Sequence, residues 1–240
     1  MFKKISEMGI EDLCIKILLH GDSGAGKTFC ASSLEKPLIL LTEKNGMVSI
    51  ERSSPDAVMA VCTTAQEVRS AFEEIITKGL ASFGCKTLVI DSLTEIQRLF
   101  KDEILEKSKS KIFSLKNWGE LAEVMRKFMR MIRNLDMNVI CTSLSQYVPE
   151  EDTTRILPSF EGKVTPQEVA QYFTAVGFVY RYQEKDARNS DTKYAHKVMF
   201  EGPARVTCKP CGHLTGTVDA DMKHIFKLIR GQDVGSTDRE

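Results

Sequence analysis

Eight consecutive residues near the start of the chain could hold the phosphates of a nucleotide. They are Gly21, Asp22, Ser23, Gly24, Ala25, Gly26, Lys27 and Thr28. Together they match the phosphate-binding loop pattern G-x-x-x-x-G-K-[ST] in full. Glycines let the backbone curl so that successive N–H groups point at phosphate oxygens. Lys27 would reach the β- and γ-phosphates, and the Thr28 hydroxyl would bind the Mg²⁺ ion that bridges them.

Two acidic residues follow apolar runs that are typical of buried strands. Residues 37–43 end on Glu43, and residues 85–92 contain LVI followed by Asp91. The carboxyl ends of parallel strands lie at the ligand-binding edge of an open sheet. We therefore expect Asp91 to join Thr28 at the Mg²⁺ ion. Glu43 is expected at the same edge, where it is either part of the site or only a solvated charge at the end of its strand.

The elements that must position these residues alternate between strand and helix patterns. An apolar run at 13–20 precedes the loop, and a helix is predicted at 28–34, ending before Pro37. Further strands are predicted at 58–62 and 136–143, and helices at 64–80, 92–107, 119–135 and 165–172. Residues 174–182 and 195–200 alternate like two antiparallel strands. The prediction is an α/β domain over 13–230, between an N-terminal segment (1–12) and a polar tail (231–240). It has a mostly parallel sheet flanked by helices and a C-terminal antiparallel β hairpin.

A lysine-rich segment at 107–118 could contact single-stranded DNA. It contains Lys107, Lys109, Lys111 and Lys116 with Phe113 and Trp118 between and after them. Cations interleaved with aromatic rings suit a nucleic-acid backbone and its bases. The alternative is a solvated loop whose two aromatic rings pack in the core, and the pattern does not decide between the two. Residues 147–163 lack periodicity and are predicted to form a long connection, which is usually either functional or mobile.

Composition excludes several classes of protein. The 240 residues are 42% hydrophobic with a formal net charge of zero, so a globally basic nucleic-acid binder is excluded. No apolar run approaches the roughly 20 residues of a membrane helix, and the N-terminus does not resemble a signal peptide. Seven cysteines, most of them single within apolar runs, indicate reduced thiols. We expect a cytosolic protein with no membrane contact.

The pair Cys208 and Cys211 is half of a zinc-site pattern. A structural zinc site needs four ligands, and no second such pair is present. His213, His196 and His224 are the conceivable completions. Whether this segment binds zinc stays open at this point.

The phosphate loop, Glu43, Asp91, the lysine-rich segment and the amphipathic helix after it carry a resemblance as a set. The chain resembles RecA-like P-loop ATPases, and in particular the small phage-encoded AAA-family proteins that act as single-strand-annealing recombinases. The resemblance spans 13–209 in element order and implies a RecA-like core that binds ATP. It implies that Glu43 activates the attacking water and that Gln146 senses the γ-phosphate. The lysine-rich segment would be the first DNA loop, and residues 147–163, with Arg155 and Lys163, would be the second.

The resemblance also implies self-association. Subunits of this family form filaments or rings and complete the ATP site with a neighbour's cation, for which Arg155, Lys163, Arg205 and Lys209 are candidates. The expected function is a Mg²⁺-dependent ATPase that binds single-stranded DNA in phage recombination or replication, with a single-strand-binding protein or a helicase as a further partner. One alternative is a nucleotide-dependent protein-binding switch or helicase loader without DNA contact. A small-molecule kinase is disfavoured, because no acceptor-binding insertion or lid is evident.

Overall fold

The nine strands and seven helices are those of a computed structural model that describes residues 13–109, 112–184 and 193–232. The strands are β1 (Lys16–Gly21), β2 (Leu38–Leu41), β3 (Val58–Val61), β4 (Thr87–Asp91), β5 (Asn138–Glu150), β6 (Thr153–Pro158), β7 (Ala175–Glu184), β8 (Lys193–Met199) and β9 (Thr217–Asp219). The helices are α1 (Lys27–Ala31), α2 (Met47–Ser53), α3 (Ala65–Lys78), α4 (Leu93–Ser108), α5 (Leu115–Asn134), α6 (Thr165–Glu168) and α7 (Met222–Ile229). Lys111 and the predicted N-terminal segment lie outside the described residues, as does most of the tail.

The strands form one mixed sheet in the order β3-β2-β4-β5-β1-β7-β8-β9, and β6 pairs with β5 beside this path. The strands from β3 to β7 in this order are parallel. The pairs β7–β8 and β8–β9 are antiparallel. The predicted α/β class is therefore confirmed, and so is the antiparallel pairing near the C-terminus.

Both faces of the sheet are covered, which explains why its inner strands are apolar throughout. Alternate residues of a strand point to opposite faces. Leu18 of β1 packs in one core with residues of α3, α4 and α5. Ile17 and Leu19 pack in a second core with residues of α1, α2 and α7. The parallel strands are thus held in the middle layer, with their carboxyl ends at one common edge.

Local signals placed α3 correctly but α5 four residues too late. Thr64 caps α3, and its side chain and that of Glu67 form the expected capping box. The helix α5 begins at Leu115 because Ser114 caps it through the backbone N–H of Asn117. Gly119 therefore lies inside the helix, and the last part of the lysine-rich segment is helical.

The prediction of an aperiodic connection at 147–163 is wrong. The strand β5 continues to Glu150 and pairs with β6 through six residue pairs, from Ser145 with Pro158 to Glu150 with Thr153. We call this unit, residues 145–158, the β5–β6 hairpin. Most of its side chains are at least partly exposed, so it lacks the apolar alternation by which a half-buried strand is recognised.

The chain after β8 contains two elements that the sequence patterns did not predict. The short strand β9 pairs with β8, and α7 packs on the second core through Met222, Ile225, Phe226 and Ile229. None of the described helices is both long and apolar enough to pass through a lipid bilayer.

Candidate nucleotide-binding site

The phosphate loop joins β1 to α1 at the carboxyl edge of the sheet. Gly24 and Gly26 have φ angles of 77° and 94°, a region that side chains with a Cβ rarely adopt. Gly21 approaches β7 so closely that a Cβ there would lie 2.3 Å from the Val179 carbonyl oxygen. Each glycine of the motif therefore has a backbone reason in this chain.

Lys27 folds back onto its own loop. Its Nζ donates to the carbonyl oxygens of Gly21 at 2.9 Å and Asp22 at 2.7 Å. Burial lowers the pKa of Lys27, whereas the negative charges of Asp91, Asp22 and Glu43 oppose that shift. The ammonium group is thus held between acceptors at the floor of a cleft.

Thr28 and Asp91 meet as the sequence predicts. The Thr28 hydroxyl donates to Asp91 Oδ2 at 2.7 Å. Thr142, on β5, donates to the other carboxylate oxygen. A hydroxyl and a carboxylate are the hard oxygen ligands that Mg²⁺ prefers, so these side chains fit the predicted ion.

Glu43 lies at the same edge. Leu41, two residues before it, pairs in register with Asp91, and the exposed Glu43 side chain lines the cleft above the loop. Its location is the predicted one. Its role in activating water stays a prediction.

The cleft has a volume of about 560 Å³ and includes residues that sequence reasoning missed. They are Phe29, Asn45, Gly46, Val48, Ser49, Arg52, Ser92, Leu144 and His196. Arg52 is an exposed cation on α2. Phe29 and Ser92 directly follow Thr28 and Asp91, whereas the others come from the segment 45–52, from β5 and from β8, and no motif marks them.

Gln146 does not line this cleft. It lies in a second depression of about 350 Å³, together with Gln97, Arg98 and Trp118. At this point β5 has left β4, and Gln146 pairs with Leu157 of β6. The β5 residue that reaches Asp91 is Thr142, so the structure does not bring the proposed γ-phosphate sensor to the cleft.

The base of the β5–β6 hairpin is attached to the phosphate loop and to β1. The Tyr147 hydroxyl donates to the Asp22 carboxylate, at 2.8 Å from each oxygen. The His20 ring is buried between Ser145 Oγ at 2.8 Å and the Thr207 carbonyl oxygen at 2.7 Å. Burial lowers the pKa of His20 to about 4. Sequence reasoning missed both contacts, which join residues more than 120 positions apart.

The two aromatic rings of the lysine-rich segment pack against each other and the core. Phe113 and Trp118 form an edge-to-face pair at 4.7 Å between ring centroids. Both are partly buried against the core of α4 and α5, with Lys101 Nζ 5.7 Å and 5.6 Å from the two centroids. This arrangement agrees with the alternative in which the rings are structural.

Apart from Lys111, which lies outside the described residues, the predicted DNA-contacting cations are at least partly exposed. Lys107 pairs with Glu103 at 3.2 Å and Arg155 with Glu150 at 3.4 Å. Lys109, Lys116 and Lys163 are exposed. The candidates for a neighbour's cation, Arg155, Lys163, Arg205 and Lys209, are not among the described residues that line this protomer's cleft.

A zinc site at Cys208 and Cys211 finds no support. Within the described ranges, no group of three or more histidine, cysteine or acidic side chains could hold a metal ion. The Cys208 thiol donates to the Met199 carbonyl oxygen at 3.2 Å. His196, a conceivable zinc ligand in the sequence, is instead bonded to the phosphate loop.

Comparison with known families agrees with this geometry. A family model described as an AAA domain matches residues 14–208, which is most of the chain and includes the loop, Glu43 and Asp91. No curated protein matches the sequence closely enough to be compared with it. By its sequence match and its phosphate loop, the chain belongs to the AAA domain family of P-loop ATPases.

Proposed function

We propose that the protein is a Mg²⁺-dependent ATPase whose nucleotide state controls its binding to single-stranded DNA, in a recombination or replication pathway of the phage type. The observation that carries the proposal is the contact between the phosphate loop and the β5–β6 hairpin, made by Tyr147 and Asp22. A change in the loop on nucleotide binding reaches the hairpin directly through this bond.

The chemistry of hydrolysis would be divided among residues of the cleft. Bound Mg²⁺ supplies positive charge beside the phosphates. Lys27 exchanges its two loop carbonyls for phosphate oxygens. Glu43 orients the attacking water from the rim of the cleft, and a cation, either Arg52 or one from a neighbouring subunit, neutralises charge in the transition state.

Glu43→Gln tests the assignment of the water-activating residue. We expect ATP binding to be retained and hydrolysis to fall by about a hundredfold or more, because the amide cannot act as a general base. Glu51→Gln is the matched control, since Glu51 is exposed on the nearby α2 and does not line the cleft. Unchanged hydrolysis in Glu43→Gln would remove Glu43 from the mechanism.

A second line of support joins the cleft to the predicted DNA segments. Leu144 lines the cleft, and the backbone N–H of Ser159 donates to the Leu144 carbonyl oxygen at 2.6 Å. The loop after β6 then reaches Trp118, which lies 3.6 Å from where a Cβ on Gly162 would be. The lysine-rich segment and the loop after β6 therefore meet on one side of the molecule.

Lys116 and Lys163 flank that meeting point and test the DNA contact. We expect the double variant Lys116→Ala/Lys163→Ala to weaken single-stranded DNA binding. If both lysines contact phosphates, the slope of log affinity against log salt should fall by about 1.4. Lys36→Ala/Lys86→Ala is the matched control, since both lysines are exposed and precede β2 and β4, at the opposite edge of the sheet.

Equal binding by the two double variants would contradict this DNA face. ATP hydrolysis that does not respond to single-stranded DNA, in a protein that does not bind it, would instead favour the protein-binding switch. Particle mass measured with ATP and DNA present tests the proposed filament or ring.

A further inference from the structure

His196 lies against the phosphate loop although it comes from β8, far along the chain. Its Nδ1 is 2.8 Å from the Ala25 carbonyl oxygen. A Cβ placed on Gly26 would lie 2.7 Å from the same nitrogen. The imidazole therefore occupies space that the loop leaves open only because residue 26 is glycine.

The chemistry of this bond assigns the proton on the ring. A carbonyl oxygen can only accept a hydrogen bond, so Nδ1 must carry the proton and donate it. Nε2 is then the second polar atom of the ring, and no described residue bonds to it. The ring is only partly buried, and it forms part of the wall of the nucleotide cleft.

We propose that His196 is a nucleotide-binding residue that β8 supplies to the phosphate loop. Nδ1–H holds the Ala25 carbonyl, and Nε2 takes a second proton from solvent when the nucleotide binds, so that Nε2–H donates to a phosphate oxygen. The ring meets the loop at Ala25 and Gly26, immediately before Lys27, so the ligand group nearest to it is a phosphate. This inference rests on the proposed use of the cleft for ATP and adds a residue to that site.

Replacing His196 by asparagine separates the two roles of the ring. The asparagine amide N–H stands close to the position of Nδ1–H and keeps the bond to Ala25, but nothing replaces Nε2. We expect His196→Asn to bind a fluorescent ATP analogue about tenfold more weakly, as the loss of one charge-assisted hydrogen bond implies. Its thermal unfolding without nucleotide should remain that of the wild type. His213→Asn, at an exposed position outside the cleft, is the matched control and should bind normally.

Competition by inorganic tripolyphosphate tests the group that Nε2 contacts. We expect His196→Asn to weaken the binding of tripolyphosphate by the same factor as it weakens the binding of the ATP analogue. A defect confined to the ATP analogue would overturn the phosphate contact in favour of the ribose or base. Wild-type affinity in His196→Asn together with weak binding in His196→Ala would mean that the ring only holds the loop, and wild-type affinity in both would remove His196 from the site.

Lys27→Ala shows whether a negative result concerns His196 or the whole cleft. Binding lost in Lys27→Ala but retained in His196→Asn would overturn this inference alone. Binding retained in Lys27→Ala as well would overturn the proposed nucleotide site.

Discussion

A buried lysine amine lies at each end of strand β1, and the two amines are held differently. Lys16 is the first residue of β1, whereas Lys27 belongs to α1 and folds back to Gly21, the last residue of the strand. At the amino end, Lys16 Nζ donates to the carbonyl oxygens of Cys14 at 3.3 Å, Leu135 at 2.9 Å and Met137 at 2.8 Å. At the carboxyl end, Lys27 Nζ donates to two carbonyls of its own loop. Burial lowers the pKa of both side chains.

The two ammonium groups differ in the number of N–H donors that remain free to bind a ligand. All three donors of Lys16 have acceptors, and these belong to the segments that enter β1 and β5. Lys27 has acceptors for two of its three donors within the described chain. It faces a cleft, and its acceptors belong to a loop whose geometry suits phosphate. A buried lysine is structural in the first setting and a binding group in the second, and in the sequence only Lys27 belongs to a recognisable motif.

Lys27→Ala should produce the largest effect on function. We expect affinity for a fluorescent ATP analogue to fall by about a thousandfold, since two charge-assisted bonds to phosphate are lost. The free energy of unfolding without nucleotide should fall by less than in Lys16→Met, because two carbonyl oxygens lose a donor rather than three and Asp22 is an exposed residue. A large loss of stability with normal affinity would mean that Lys27 serves the fold, like Lys16.

Lys16→Met should have the opposite pattern. We expect the free energy of unfolding in urea to fall by about 3 kcal/mol, because three carbonyl oxygens lose their buried donor. The folded fraction should bind nucleotide within about twofold of the wild type. A loss of affinity like that of Lys27→Ala would contradict the contrast between the two ends.

His20, the penultimate residue of β1, should make stability depend on pH. Its folded pKa of about 4 lies below the ordinary value of 6.5, so the unfolded chain binds the proton more readily between these values. The contribution of neutral His20 to the free energy of unfolding is therefore complete above pH 6.5. It decreases as the pH is lowered, by roughly 2 kcal/mol between pH 6.5 and 5. Urea unfolding in His20→Gln should show a shallower slope in this range, whereas the exposed His213→Gln should keep the wild-type slope. An unchanged slope in His20→Gln would show that other groups govern the acid sensitivity.

Tyr147→Phe should have the smallest effect on stability. The bond between Tyr147 and Asp22 is exposed, so we expect a loss below about 1 kcal/mol. The chain has one tryptophan, and Trp118 lies beside Gly162, next to the end of the hairpin. We expect its fluorescence response to ATP to shrink in Tyr147→Phe.

The exposed Tyr182 provides the matched control for that experiment. Tyr182→Phe should keep the full fluorescence response to ATP. An equal response in Tyr147→Phe would mean that nucleotide binding does not affect the hairpin through this bond. The carboxyl end of β1, like its amino end, would then transmit no change to other parts of the molecule.

Much of the carboxyl edge could be predicted from local sequence. Thr28, Asp91 and Glu43 were predicted from two facts, that each follows or contains a recognisable pattern and that parallel strands end at one edge. The capping box of α3 was equally local. These signals work because the residues that matter lie within a few positions of one another.

The β5–β6 hairpin and the late start predicted for α5 mark where local reasoning failed. Tyr147 and Val148 are adjacent and both exposed, so this part of β5 shows no apolar alternation that would reveal the hairpin. The position of Gln146 was inferred from chain order alone, and the departure of β5 from β4 carried it to another depression. For the hairpin and for Gln146 the deciding contact was with a strand whose pairing the sequence does not encode locally. The start of α5 was missed although its cap, Ser114, is a local signal.

The sequence by itself determined the phosphate loop, the acids at the strand ends and the α/β class, since these depend on residue type at short spacing. Only the tertiary structure decided that His196 and Tyr147 contact the loop and that Arg52 lines the cleft. The same holds for the bonds from Lys16 to the segment that precedes β5. The physical reason is that these contacts join residues far apart in the chain. Their geometry follows from the order and register of the strands, which a pattern of neighbouring residues does not specify.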